Sequence, residues 1–257
     1  MERLYRVEYE RAVQYAVERD GVLAVLVGDP FDGYSTGRPI PGGLDAVGLR
    51  VLAPVKPSKI VCVGLNYRDH ALESGKPLPA EPLIFIKPAT AVIGPGDPIT
   101  LPPGVGRVDY EAELAVVIGR RAHRVRRDRA WDYILGLTCV NDVTARDLQN
   151  KESQYTRCKG FDTFAPVGPC VATGLGPTPR RVESWVNGER RQASDTGQLI
   201  FPIEQLVEFV TFVMTLEPGD IISTGTPQGI GPIHAGDTVV VKVEDVGELV
   251  NPVRAED

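Results

Sequence analysis

Residues 108–119 constrain the fold of this chain more than any other segment. They are apolar and largely β-branched, and they end in a glycine, which together predict a β-strand. Because side chains alternate between the two faces of a strand, Glu111 and Glu113 project from the same face. Two neighbouring carboxylates repel each other unless a cation or protons lie between them. Taken alone, the pair is explained more simply by an edge strand with a solvated acidic face.

A third carboxylate, Asp142, ends the apolar segment of residues 131–142. A carboxylate at the end of a strand is well placed to bind a metal ion together with other acidic side chains. The alternative is an N-cap for a helix in the following residues, 143–149.

Residues 65–75 contain a histidine and a glutamate, His70 and Glu73, that are three positions apart. On a short helix they would share one face and could form a hydrogen bond. Glycine and proline bound this segment, as expected for a lid between two loops. On their own, the two residues fit a surface pair better than a catalytic dyad.

The composition of the chain excludes several classes of protein. A net charge of −6 at pH 7 argues against nucleic acid as the main partner, so we interpret the arginine-rich residues 120–129 as a solvated loop. No apolar run approaches the ~18 residues that span a bilayer, and the first eight residues lack the apolar core of a signal peptide. We therefore expect a cytoplasmic protein with no membrane partner. Its four cysteines are expected to be reduced core residues.

The distribution of predicted elements indicates an α+β fold. Strands predominate, the one clear amphipathic helix covers about residues 202–214, and strands and helices do not alternate regularly, which excludes a doubly wound nucleotide-binding fold. Residues 1–53 are predicted to form a small N-terminal domain and residues 54–257 the main domain. A glycine- and threonine-rich loop at residues 223–231 follows a late strand and could offer N–H and hydroxyl groups to a carboxylate.

Several of these segments occur in an order that resembles the fumarylacetoacetate hydrolase superfamily. The matching segments are residues 64–73 (GLNYRDHALE), 85–88 (FIKP), 109–114 (DYEAEL), 141–149 (NDVTARDLQ), 159–162 (KGFD) and 224–231 (TGTPQGIG). The resemblance implies a mixed β-sandwich roll with few flanking helices, preceded by a small N-terminal domain. It also implies a homodimer.

The same resemblance implies roles for individual residues. Glu111, Glu113 and Asp142 would bind Mg²⁺ or Mn²⁺. His70 and Glu73 would form a dyad on a lid, and Lys159 would be a catalytic lysine. The substrate would be bound by Lys87, Arg146, Gln149, Gly225 and Thr226.

The chemistry of the implied ligands agrees with this assignment. Three carboxylates without histidine or cysteine form an all-oxygen site that suits Mg²⁺ or Mn²⁺ better than Zn²⁺. Such an ion stabilises the negative charge that develops on the keto oxygen of a 2-oxo acid as it becomes an enolate. C–C hydrolysis, decarboxylation and keto–enol isomerisation all pass through such a species.

The dyad favours hydrolysis among these reactions, because His70, oriented by Glu73, could activate a water molecule. We therefore predict an acylpyruvate or fumarylacetoacetate hydrolase type of enzyme acting on a small 2-oxo or 2-hydroxydienoic acid. The alternative is a 2-hydroxyhepta-2,4-diene-1,7-dioate isomerase or a 2-oxo acid decarboxylase of aromatic catabolism. A non-catalytic metal- or carboxylate-binding protein would not be expected to keep His70, Glu73 and Lys159.

Overall fold

The computed structural model describes residues 1–256 and is built mainly of β-strands. The strands are β1 (Glu2–Tyr9), β2 (Ala12–Arg19), β3 (Val22–Asp29), β4 (Gly33–Pro39), β5 (Arg50–Leu52), β6 (Lys59–Gly64), β7 (Leu83–Pro88), β8 (Val92–Ile93), β9 (Ile99–Leu101), β10 (Val108–Tyr110), β11 (Ala112–Ile118), β12 (Ile134–Asn141), β13 (Thr144–Ala145), β14 (Ala165–Thr173), β15 (Arg181–Val186), β16 (Glu189–Asp195), β17 (Ile221–Ser223), β18 (Gly231–Pro232), β19 (Thr238–Val243) and β20 (Gly247–Ala255). The α-helices are α1 (Arg68–Glu73), α2 (Arg146–Lys151), α3 (Thr156–Lys159) and α4 (Ile203–Val213). Short 3₁₀ helices cover Gly43–Asp45, Ala89–Ala91, Arg127–Tyr133 and Thr196–Gln198. The predicted α+β class, a mixed β structure with few helices, is confirmed.

The largest sheet runs in the order β4-β3-β2-β1-β14-β12-β11-β17-β6-β7, with β5 paired to β1 and β8 paired to β14. Strand β11 is buried along its whole length, between β12 and β17. Burial on both faces explains why its sequence, apart from Glu113, is apolar rather than alternating. Helix α4 packs its buried residues, among them Leu206, Val207 and Val210, into the main hydrophobic core.

The first 53 residues contribute strands to this same sheet. Strand β1 pairs with β14 through Glu2, Arg3 and Leu4, and it also pairs with β2 and β5. Strand β4 lies within residues 29–43, a stretch rich in glycine and proline. The division at residue 53 stays a prediction, because strand pairing alone does not define an independently folding unit.

The predicted strand of residues 108–119 is interrupted at Glu111, which was not expected. Strand β10 pairs with β13 and β18, whereas β11 pairs with β12 and β17, so the chain passes from one sheet to another at this residue. Tertiary pairing therefore overrides a local sequence that is compatible with one continuous strand.

A five-stranded sheet, in the order β16-β15-β19-β20-β9, packs against the largest sheet. Strands β15 and β16 form a hairpin, with Asn187 and Gly188 both at positive φ in its turn. The four cysteines are buried as free thiols, as expected. None of the helices in residues 1–256 has the length and apolar character needed to cross a bilayer.

Candidate active site

The antiparallel pairing of β11 with β12 brings three carboxylates together. Ala112 is opposite Asn141, so the start of β11 lies beside the end of β12. The backbone N–H of Asp142 donates to the carbonyl oxygen of Glu111 at 2.9 Å. As a result, Glu111, Glu113 and Asp142 are all buried and each offers a carboxylate oxygen within 4.8 Å of the others.

Two buried lysines neutralise part of this acidic cluster. Lys159 Nζ lies 2.8 Å from Glu111 Oε2 and 2.6 Å from Asp142 Oδ2. Lys87 Nζ lies 2.6 Å from Asp142 Oδ1 and donates to the carbonyl oxygen of Val143 at 3.0 Å. Burial alone would lower the pKa of Lys159, but the charges of Asp142 and Glu111 outweigh it and raise that pKa.

The two glutamates of the cluster have opposite pKa shifts. Burial raises the pKa of Glu113 to about 8, and the nearby Asp142 carboxylate adds to this effect. Burial acts in the same direction on Glu111, but the charges of Lys159 and Arg146 outweigh it and lower its pKa to about 2. Within residues 1–256 no lysine or arginine forms an ion pair with Glu113, which accepts hydrogen bonds from Ser223 Oγ and the Gly225 N–H.

Arg146, at the start of α2, links Glu111 to a second buried carboxylate. Its guanidinium contacts Glu111 and the Gln149 side chain, and its Nε atom lies 2.8 Å from Asp109 Oδ2. Asp109 is fully buried and also pairs with Arg107 at 2.6 Å. Asp109 therefore bridges Arg107 and Arg146, and this contact holds the Arg146 side chain oriented toward the cluster.

The predicted dyad is formed on α1. His70 Nδ1 lies 3.1 Å from Glu73 Oε2, and the Gly229 N–H donates to Glu73 Oε1 at 3.0 Å. Tyr110 donates from its hydroxyl to the Gly229 carbonyl oxygen at 2.7 Å. The helix that carries the dyad is therefore hydrogen-bonded to the loop of residues 224–230.

A cavity of about 80 Å³ joins these groups. Its polar lining comprises His70, Lys76, Glu111, Glu113, Asp142, Arg146, Gln149, Lys159 and Thr226, and its apolar wall comprises Val63, Leu65, Leu83, Phe85 and Tyr155. Two predicted substrate-binding residues are not among the lining residues. Lys87 is fully buried behind Asp142, and Gly225 directs its N–H to Glu113.

Sequence reasoning missed several residues that shape this cavity. Lys76, Phe85 and Tyr155 contribute to its lining, and the rings of Phe85 and Tyr155 pack edge to face with centroids 5.4 Å apart. Asp109 and Asn141 were quoted only as parts of motifs, although the Asn141 side chain accepts the Glu111 N–H at 2.9 Å. The available signal was a polar residue one or two positions from a candidate ligand, since Asn141 precedes Asp142 and Asp109 lies two residues before Glu111.

Comparison with known proteins assigns the family. The model for the fumarylacetoacetate (FAA) hydrolase C-terminal domain matches residues 59–254, which include every residue of the cluster and the dyad. The chain belongs to the fumarylacetoacetate hydrolase family.

Three similar proteins cover between 80% and 100% of the chain. A protein of Archaeoglobus fulgidus is 50% identical over 241 residues, which is 94% of this chain and 91% of that protein. A solved structure of 2-hydroxyhepta-2,4-diene-1,7-dioate isomerase from Mycobacterium marinum is 42% identical, with a TM-score of 0.90 and coverage of 100% of this chain and 99% of that one. A mitochondrial oxaloacetate tautomerase of Xenopus laevis is 41% identical over 218 residues, 80% of this chain and 68% of that protein. Membership in this family supports enzymatic action on a small molecule.

Proposed function

We propose that this protein is a divalent-metal-dependent enzyme that interconverts the keto and enol forms of a small 2-oxo acid. The observation that carries the proposal is the buried convergence of Glu111, Glu113 and Asp142, flanked by His70 and Lys159 in one cavity. Hydrolytic C–C cleavage, which the dyad favoured at the level of sequence, is the second candidate.

The cluster fits a hard divalent cation. Carboxylate oxygens are the ligands that Mg²⁺ and Mn²⁺ prefer, and three of them converge here with no histidine or cysteine among them. Glu113 lacks a cationic partner within the described residues, so a bound cation would neutralise the one carboxylate that burial keeps protonated near neutral pH. A cation held there would act as a Lewis acid that stabilises negative charge on the keto oxygen.

The side chains around the cluster can bind the substrate and move its proton. Arg146 and Lys159 place positive charge on the cavity wall, where they can bind the substrate carboxylate. His70 lines the same cavity and can carry a proton to or from the carbon next to the keto group. Glu73 accepts a hydrogen bond from His70 Nδ1 and so leaves Nε2 as the atom that exchanges the proton.

The names of two relatives support isomerisation. Proteins named as an isomerase and as an oxaloacetate tautomerase are 42% and 41% identical to this chain. Hydrolysis remains the second candidate because the His70–Glu73 dyad could equally activate a water molecule.

The test measures two reactions side by side with purified protein. Enol-to-ketone conversion of oxaloacetate is followed by ultraviolet absorbance above the buffer rate, and cleavage of acetylpyruvate is followed by release of acetate. Each is measured with Mg²⁺, with Mn²⁺ and after chelation. The variant His70→Ala is compared with His234→Ala, a matched control whose side chain is 76% exposed.

Each outcome decides between the candidates. Metal-dependent tautomerisation that falls in His70→Ala and persists in His234→Ala would support the proposal. Metal-dependent release of acetate, lost in His70→Ala, would replace it with hydrolysis. Turnover that survives chelation would contradict both.

We also propose that the protein forms a homodimer. Strand β7 is the edge strand of the largest sheet, and its Leu83 and Ile86 side chains are exposed, as are Phe212 and Val213 on α4. Apolar side chains at a sheet edge are suited to burial in an interface between copies. Light scattering of the purified protein tests this, and a monomer at micromolar concentration would contradict it.

A further inference from the structure

Gln192, in the middle of β16, is a fully buried carboxamide with every hydrogen-bonding position filled. Its Oε1 accepts from the Ala112 N–H and from Ser184 Oγ, each at 3.0 Å. Its Nε2 donates to Thr226 Oγ1 at 2.8 Å and to the Pro227 carbonyl oxygen at 2.9 Å. An amide oxygen accepts two such bonds and an amide nitrogen donates two, so the residue is completely satisfied.

The bonds of Gln192 close a ring around the peptide that separates two cluster residues. Ala112 lies between Glu111 and Glu113, and its N–H donates to Gln192. The Ala112 carbonyl oxygen accepts from Thr226 Oγ1 at 2.9 Å, and that same hydroxyl accepts from Gln192. The three residues therefore hold one another in a closed hydrogen-bonded ring.

This ring lies where the strand pairing is broken. The N–H groups of Glu111 and Ala112 donate to side-chain amides, those of Asn141 and Gln192, rather than to a neighbouring strand. At this break, side-chain oxygens therefore accept the backbone N–H hydrogen bonds that a neighbouring strand accepts in a regular sheet. A small shift of either amide would move the carboxylates on both sides of Ala112.

Strand β16 also contacts two other parts of the site. A Cβ atom added to Gly229 would lie 2.3 Å from the Arg191 carbonyl oxygen, so the loop of residues 224–230 packs directly on this strand. Ser194 donates from its hydroxyl to Asp69 in α1, the helix that carries the dyad. The strand thus contacts the carboxylate-bearing segment, the loop and the lid helix.

We infer that Gln192 is a positioning residue that couples the backbone of Glu111 and Glu113 to the loop carrying Gly225 and Thr226. It does not line the cavity, and it acts through Ala112 and Thr226. Its effect on metal affinity and turnover rests on the proposed function. Its effect on the order of the backbone, measured by hydrogen exchange, does not depend on the proposed function.

The experiment compares Gln192→Met, which keeps the length of the side chain but removes all four hydrogen bonds, with two controls. Ser184→Ala removes one bond to Gln192 without touching the carboxylate-bearing segment or the loop. Asp220→Asn perturbs a buried carboxylate that contacts Ser58, Lys59 and Glu217, and serves as a destabilised variant outside the site. Hydrogen exchange of residues 111–113 and 224–228, Mn²⁺ affinity and the kcat and KM for oxaloacetate are measured for each.

In Gln192→Met we expect exchange to accelerate in both segments together, and Mn²⁺ affinity to fall roughly ten- to a hundredfold. The kcat should fall along with it, while both controls keep the Mn²⁺ affinity of the wild type. Exchange that accelerates in neither segment, or in only one, would overturn the coupling. An equal loss of Mn²⁺ affinity in Asp220→Asn would reduce the effect of Gln192 to general stability. If the wild type binds no Mn²⁺, the proposed function fails and the exchange rates alone decide the inference.

Discussion

Lys159 Nζ lies between Glu111 and Asp142, 2.8 Å from the first carboxylate and 2.6 Å from the second, in a position that is only 3% exposed. One ammonium group therefore forms ion pairs with two of the three carboxylates of the cluster. Glu113 is the third, and its neutralisation by a proton or a cation underlies the first prediction.

Metal binding is expected to release a proton from Glu113 below about pH 8. Burial raises the pKa of this carboxyl from its ordinary value of 4.5 to about 8, so the proton must leave before a cation can be bound. The apparent metal affinity should rise about tenfold per pH unit from pH 6 to pH 8 and then level off. Calorimetric titration in two buffers of different ionisation enthalpy counts the released protons.

The raised pKa of Glu113 also makes the stability of the metal-free protein depend on pH. Because folded Glu113 holds its proton over a range in which the unfolded chain has lost it, the contribution of this group to stability falls as pH rises from about 4.5 to about 8. Glu113→Gln should remove that part of the pH dependence, as measured by urea unfolding. An unchanged profile in this variant would contradict the assigned shift.

Gly229→Ala is expected to detach the loop from α1. Gly229 has φ +94°, and an added Cβ would lie 2.3 Å from the Arg191 carbonyl oxygen, so the loop must move and the bond from its N–H to Glu73 is lost. We expect kcat for oxaloacetate to fall at least tenfold. The matched control is Gly236→Ala, with φ +95° but open space around the added Cβ, which should cost about 1 kcal/mol of stability and leave kcat unchanged. Equal effects of the two variants on kcat would contradict the role of the loop.

Asp220→Asn is expected to destabilise the fold without affecting the site. Burial would raise the pKa of Asp220, but hydrogen bonds from Lys59, Glu217 and Ser58 outweigh it and lower the pKa below its usual value. The contribution of this carboxylate is therefore present at neutral pH and is lost as pH falls through its folded-state pKa. We expect a loss of about 2 kcal/mol in the free energy of unfolding at pH 7. The control is Asp132→Asn, which removes one carboxylate of an exposed pair with Arg129 and should change the free energy of unfolding little.

Lys87→Met is expected to lower the free energy of unfolding by about 3 kcal/mol, because it leaves a buried carboxylate, Asp142, without one of its two cations. Lys56→Met is the control, since Lys56 is exposed and forms no ion pair within residues 1–256. Both are compared by urea unfolding of the metal-free protein. A Lys87→Met variant as stable as its control would contradict the role assigned to the buried ion pair.

Short-range patterns in the sequence were sufficient to predict elements that residue spacing and periodicity determine. Helix α4 begins and ends within one residue of the predicted helix, and the spacing of His70 and Glu73 correctly placed both on one helix. The meeting of Glu111 and Glu113 with Asp142 came from the family resemblance, because the register of β11 with β12 that produces it is a long-range property.

The features that sequence reasoning missed depend on partners distant in the chain. The interruption at Glu111 arises from pairing with β18, more than a hundred residues later. Gln192 is in an exposed-looking run of polar residues, and only the packing of β16 against Ala112 and Thr226 reveals it as buried. Lys87 lies near the end of the apolar strand β7, as a substrate-binding lysine could, but it contacts Asp142 behind the cavity.

The central claim is that Glu111, Glu113 and Asp142 bind one divalent cation, and equilibrium titration of the metal-free protein with Mn²⁺ tests it most directly. We predict one ion per chain at pH 8, with binding abolished in Asp142→Asn and retained in Asp132→Asn. No binding by the wild type, or the same binding in Asp142→Asn as in the wild type, would contradict the account.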